Sequence, residues 1–160
     1  MPWIKPKKQN DVKKQNGEPL PLFNRLIANS ETMYSAFAPL QTAISHTFLS
    51  DFEKEAIITY VSMKNGCTYC TKSHGTLFSQ LSGEEDAEYK LQNFASMDWP
   101  ASLKCMLYYA DKLTDRPASV EKEDIEQLRA FGYSEEQIVE INHVIAYTTY
   151  TNQISMGLGL

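Results

Sequence analysis

A serine stands three residues ahead of a glutamate or glutamine at Ser50-Asp51-Phe52-Glu53, Ser82-Gly83-Glu84-Glu85 and Ser134-Glu135-Glu136-Gln137. In each, the serine oxygen can accept an N–H of the first helical turn while the acid or amide reaches back, so each predicts a helix start. After the first, Phe52, Ala56, Ile57, Tyr60 and Val61 recur at helical spacing, and Asn65-Gly66 supplies the stop. The second opens a more polar helix to about residue 94. After the third, Ile138, Ile141 and Ile145 share one side while Val139, Ala146, Tyr147 and Tyr150 lie on others. A helix apolar most of the way round is buried on most sides, which in a chain this short points to a subunit interface.

The rest of the chain carries the same period. Leu22, Phe23, Leu26 and Ile27 form one cluster; Met33, Phe37, Leu40, Ala43 and Ile44 form another, which Pro39 should end or kink. Leu103, Met106, Leu107, Ala110 and Leu113 trace a stripe after Pro100, which suits a first helical position. Ser119 can cap a further helix with Ile125 and Leu128 inward and Gly132 as its stop. No segment alternates with a period of two between hairpin turns, and no repeat is visible. The prediction is an all-α domain of six to eight helices over residues 19–160, with an irregular arm over residues 1–18.

Composition excludes several classes. Hydrophobic residues at 42% and charged residues at 22% are ordinary for a globular protein, and a net charge of −5 argues against phosphate-backbone binding. The basic cluster Lys5, Lys7, Lys8, Lys13 and Lys14 lacks apolar periodicity and reads as a solvated tail. No stretch approaches the ~20 apolar residues of a membrane span, and the first residues lack a secretory apolar core. Three cysteines are too few for a secreted disulfide framework, so a reducing cytoplasm is the expected compartment.

Chemistry concentrates in Asn65-Gly66-Cys67-Thr68-Tyr69-Cys70-Thr71-Lys72-Ser73-His74. On a helix running from about residue 68 to 81, with Leu77, Phe78 and Leu81 facing a core, Cys67, Cys70 and His74 form one stripe headed by the cysteines. A helix start favours thiolate over thiol through its unpaired N–H groups and its dipole. The short Asn-Gly link makes this helix the antiparallel neighbour of the one before it. Residues equidistant from the turn then meet, and Glu55 pairs with His74. A carboxylate beside an imidazole raises its basicity, and the imidazole can take a cysteine proton. On a regular helix the two Cβ atoms would stand roughly 5–6 Å apart, wider than a relaxed disulfide prefers, which predicts a reducible bridge. Two other readings stand beside this: a pair of small buried residues, or a zinc site of Cys67, Cys70, His74 and Glu55. Against zinc, a regular helix spreads i and i+7 about 10 Å along its axis.

Glu55, eleven residues, then C-x-x-C-x-x-x-H, resembles the alkylhydroperoxidase D branch of the carboxymuconolactone decarboxylase family. "NGCTYCTKSH", "YYADKLTDRP" and "FGYSEEQIVEINHVIAYTTYTNQISMGLGL" are similar to what its peroxidase-related members carry in the same order, over about residues 20–160. The resemblance implies an all-helical fold assembling into homo-oligomers (trimers or hexamers) and thiol-dependent, peroxiredoxin-type reduction of hydroperoxides. It casts Cys70 as the peroxidatic thiol, Cys67 as the resolving one, and Glu55 with His74 as the proton relay. Tyr69 occupies the place where the best-known members have a second histidine; with a pKa near 10 it is the weaker base. No cofactor is implied; the partners are a peroxide substrate and an external thiol or dithiol reductant, protein reductants included, with no nucleic acid and no membrane. The alternative from another class is a redox sensor or disulfide carrier that binds a protein partner.

The remaining candidates read as structural. Cys105 falls on the Leu103 stripe as a core or interface thiol, and His46 sits near a helix end, where an imidazolium suits the dipole. His143 reads as a hydrogen-bonded core histidine, and Tyr108, Tyr109, Tyr147 and Tyr150 as packing. Lys64 and Lys72 are placed to lower a thiol pKa by their charge, or are simply solvated.

Overall fold

The computed structural model describes residues 1–12, 17–83 and 85–160. Lys13 and Lys14 of the basic cluster and Glu84 of the second capping signal lie outside the described residues. Among the described residues eight α-helices follow in order: α1 (Leu22–Ile27), α2 (Glu31–Ser45), α3 (Asp51–Lys64), α4 (Thr68–Ser82), α5 (Ala87–Gln92), α6 (Ala101–Thr114), α7 (Lys122–Ala130) and α8 (Glu135–Gly157). Short 3-10 turns occupy Gln9–Asp11 and Phe94–Ser96. Among the described residues no β-strand forms, and no helix is long and apolar enough to cross a membrane.

Two compact units divide the chain: residues 1–46 with 154–160, and residues 47–153. In the first, the amino-terminal arm is tied down through its backbone groups and the Arg25 side chain. Lys7 N–H donates to the Arg25 carbonyl at 3.1 Å, Arg25 Nε returns a bond to the Lys7 carbonyl at 2.7 Å, and Trp3 N–H reaches the Leu158 carbonyl at 2.9 Å. The ring edge of Phe23 meets Phe37 at 5.8 Å, joining α1 to α2. Pro39 neither ends nor divides α2; the break falls at Ala28–Ser30, where the Ser30 oxygen accepts the Met33 N–H. Proline is tolerated there because Pro39 and Ser35, whose carbonyl loses its partner, both face solvent. Of the predicted α2 core, Phe37 and Ile44 are buried, while Met33 and Leu40 are exposed.

In the second unit α3 is the central element, packing on α4, α5 and α6. Its capping box is complete: the Ser50 oxygen accepts Glu53 N–H, and the Glu53 carboxylate accepts Ser50 N–H. Ala56, Ile57 and Val61 are fully buried against a core that includes Phe78, Leu103, Met106, Leu107, Ile141 and Val144. Each such large side chain contributes about 1.5–3 kcal/mol by leaving water. A polar pin fastens α3 to α6: Tyr60 Oη donates to Asp111 Oδ1 at 2.7 Å, and Lys64 Nζ binds the Asp111 carboxylate, the Asp111 carbonyl at 2.6 Å and Asp115 Oδ1 at 2.7 Å. Burial opposes the Lys64 charge, but the hydrogen bonds to Asp111 and Asp115 outweigh it and hold the ammonium above its ordinary pKa.

Two helix starts differ from the sequence reading. Ser82 ends α4 instead of opening the next helix, with Gly83 at φ +67° as its C-cap, and α5 begins after Asp86. A glycine able to adopt the left-handed conformation outweighed the serine signal. Ser119 gives its hydroxyl to Asp115 at 2.6 Å, so Glu121 caps α7 in a box with Asp124. Pro100 takes the N-cap of α6, one residue earlier than expected. At the head of α8, Ser134 and Gln137 exchange the predicted reciprocal bonds at 2.9 and 3.2 Å. Within α8, Ile138, Ile141, Val144 and Ile145 are buried whereas Val139, Ala146 and Tyr150 are exposed.

Candidate active site

The site is built on the turn between α3 and α4. Asn65 caps α3, and Gly66 at φ +73° reverses the chain in a conformation that disfavours any Cβ. Cys67 N–H then donates back to the Ser62 carbonyl at 3.0 Å, which fixes where the next helix begins. Cys67 is the N-cap of α4, at φ −83° and ψ 89°, and its Sγ accepts the Cys70 N–H at 3.4 Å. One sulfur therefore fills the place a serine or aspartate oxygen usually takes.

Cys67 and Cys70 are joined as a disulfide, with Cα atoms 5.4 Å apart. That spacing lies inside the 4.4–6.8 Å that bridged cysteines occupy. At the N-cap, Cys67 has left helical geometry while Cys70 lies in the first turn. Cys67 is fully buried and Cys70 is 7% exposed.

His74 follows Cys70 by one turn of α4, and its Nδ1 meets Glu55 Oε2 of α3 at 2.7 Å. The hairpin thus carries two pairs, Glu55 with His74, which meet across it as the spacing predicted, and Cys67 with Cys70 at the start of the helix that bears His74. The carboxylate is the more enclosed partner, with 15% side-chain exposure against 34% for the imidazole, so Glu55 anchors a ring whose other edge is open. Phe52 precedes Glu55 by one turn of α3, and Phe78 follows His74 by one turn of α4. Their rings stack at 5.2 Å, and the Trp99 indole meets both edge-on, giving the pair an aromatic flank. An open cavity of about 550 Å³ lies between the start of α4 and α5, lined in part by Gly66, Thr68, Lys72 and Glu88; Glu55, Cys67, Cys70 and His74 are not among its lining residues. Tyr69 is half-buried in the first turn of α4, between the two cysteines in sequence. Among the described residues no three His, Cys, Asp or Glu side chains converge as a metal-binding group.

Other candidates lie apart from this chemistry. Lys64 is committed to Asp111 and Asp115, not to a sulfur; Lys72 is exposed. Cys105 is a buried free thiol whose pKa is pushed up by burial and by the Asp124 charge. His46 caps α2, its Nδ1 2.8 Å from the Thr42 carbonyl. His143 is exposed, not a core residue; its Nδ1 is 2.8 Å from the Val139 carbonyl. Tyr109 is buried and accepts Asn142 Nδ2 at 2.7 Å, while Tyr108 packs edge-on against Phe94 at 4.7 Å. Of the predicted α4 core, Phe78 is fully buried but Leu77 and Leu81 are about half exposed.

The sequence reading missed the polar set behind the turn. Asn65 Nδ2 donates to Thr149 Oγ1 and Asn152 Oδ1, and Asn152 Nδ2 donates to Ser62 Oγ. The available signal was Asn152 in an apolar helix, one turn from Thr148, both 1% exposed.

No protein-family model and no curated protein matches the chain. Solved structures do. A peroxidase-related protein from a Silicibacter species is 28% identical with a TM-score of 0.79, over 89% of this chain and 76% of that one. An alkylhydroperoxidase AhpD core protein, also described as peroxidase-related, from Ralstonia eutropha is 25% identical with a TM-score of 0.74, over 84% and 73%. The apo form of a debrominase is 21% identical with a TM-score of 0.81, over 98% and 89%. Fold and site define a helical protein with a C-x-x-C pair at a helix start. More particularly, the chain has the alkylhydroperoxidase D-like fold, as the peroxidase-related neighbours do.

Proposed function

We propose that this chain is a dithiol peroxidase that reduces organic hydroperoxides or hydrogen peroxide in antioxidant defence. The observation that carries the reading is the 2.7 Å contact between His74 and Glu55 on the hairpin that also bears the cysteine pair. In the reduced protein, His74, oriented by Glu55, takes the Cys70 proton. The thiolate attacks the outer oxygen of ROOH; the O–O bond breaks, ROH leaves with a proton, and Cys70 becomes a sulfenic acid. Cys67 displaces the sulfenic oxygen as water and the disulfide forms. An external thiol or dithiol then supplies two electrons and two protons to restore both thiols. No resident cofactor enters the cycle. Assembly into homo-oligomers and residence in the cytoplasm belong to the same proposal, the former tested by sedimentation.

The test is consumption of cumene hydroperoxide or hydrogen peroxide by the reduced protein with dithiothreitol as reductant. Turnover should vanish in Cys70→Ser and vanish or slow in Cys67→Ser. A single stoichiometric oxidation without turnover would instead support a redox sensor or disulfide carrier. The debrominase neighbour, solved with 2,3,4-tribromopyrrole as a variant in which one cysteine is replaced by alanine, motivates one further arm. A dithiol can also deliver two electrons to a carbon–bromine bond, and bromide release from that pyrrole without peroxide turnover would favour that reading.

A further inference from the structure

We infer that Asn152 on α8 is a positioning residue for the Cys67–Cys70 pair; this rests on reading the pair as the reactive dithiol. Asn152 is 1% exposed, and its amide is used in both directions. Oδ1 accepts Asn65 Nδ2 at 3.0 Å, and Nδ2 donates to Ser62 Oγ at 3.0 Å. Thr149 Oγ1, one turn earlier on α8, accepts from the same Asn65 amide at 3.1 Å.

The two residues gripped are those that deliver Cys67 to its place. Ser62 supplies the carbonyl that receives Cys67 N–H at 3.0 Å. Asn65 ends α3, with its own N–H on the Val61 carbonyl at 2.9 Å, two residues before Cys67. One buried side chain thus holds both residues at the end of α3 from which Cys67 is placed, where the link to α4 begins. Burying an amide is costly unless its hydrogen bonds are made, and here they are made to this link. In the disulfide form Cys67 Sγ lies against the Cys70 N–H; with the link held, the reduced sulfur keeps that donor, which favours its thiolate form. With the link loosened, Cys67 moves off that donor and its thiolate becomes harder to form.

The measurement is the ultraviolet absorbance of the thiolate against pH in full-length protein carrying Cys70→Ser and Cys105→Ala, so that Cys67 titrates alone. Adding Asn152→Ala should raise the midpoint and lower the thiolate population below it about tenfold. Asn65→Ala should give the same rise, and the double variant no more than either, because both remove one link. An unchanged midpoint in folded variants overturns the inference, as do rises that add. Should Asn152→Ala fail to fold, Asn65→Ala at its half-buried position decides alone. No peroxide enters this titration, so a protein without peroxidase turnover can still show the shift, and a true peroxidase can fail to.

Discussion

At the scale of single residues, the Glu55–His74 contact makes the sharpest demand. Glu55→Gln removes the charge but keeps the shape, so His74 loses its orienting carboxylate while the hairpin persists. Peroxide turnover should fall about 100-fold, the low end of what a positioned acid–base group contributes, in a steady-state assay with saturating reductant. Cys105→Ala should leave turnover intact, because its burial and its raised pKa keep that thiol from reacting. An activity loss there without loss of folded protein would assign it a redox role. The Glu55–His74 pairing was legible because an Asn-Gly turn fixes register: positions summing to a constant meet. Asn152 was not, since nothing local marks which turn of α8 backs onto a given loop. His143 misled for a related reason, because apolar neighbours in sequence do not lie on the same face of a helix.

Helices and their ends behave differently from the side chains they carry. Gly66 stands at φ +73° with nothing within 4 Å of where a Cβ would be. Gly66→Ala should therefore cost about 1–2 kcal/mol through backbone strain alone, read by chemical denaturation. The α3–α6 pin gives a pH signature. Asp115 is held below its ordinary pKa by hydrogen bonds from Lys64 and Ser119, so its stabilisation is complete above the usual carboxylate value and fades as pH falls through the depressed one. Lys64 is raised, so its share persists up to its ordinary value and fades as pH rises beyond it. Asp115→Asn should lower the melting temperature at pH 7 but not at a pH where wild-type Asp115 is already protonated. Helix existence was legible from the 3-4 period, and starts were legible where serine had no rival. At Ser82 and Ser119 a glycine and an aspartate competed for the same local groups and won, which a window of four residues does not reveal.

For the molecule as a whole, charge gives the clearest expectation. The net charge is −5, and Lys64, Lys112 and Arg129 are each engaged with carboxylates. Duplex DNA should not be retained at physiological salt in a filter-binding assay. The all-helical class was legible from the 3-4 period and the absence of alternating segments. The division into residues 1–46 with 154–160 and residues 47–153 was not, because it joins the two ends of the sequence and no local pattern encodes that pairing.

A sulfur that caps a helix makes electron transfer and local order a single variable. When Cys67 changes its bonding, the sulfur that accepts the Cys70 N–H turns from a disulfide sulfur into a thiol or thiolate, and the strength of that cap changes with it. Deuterium uptake at that amide and its neighbours should therefore report, without any chemical probe, whether the protein is holding its pair of electrons or has passed them on.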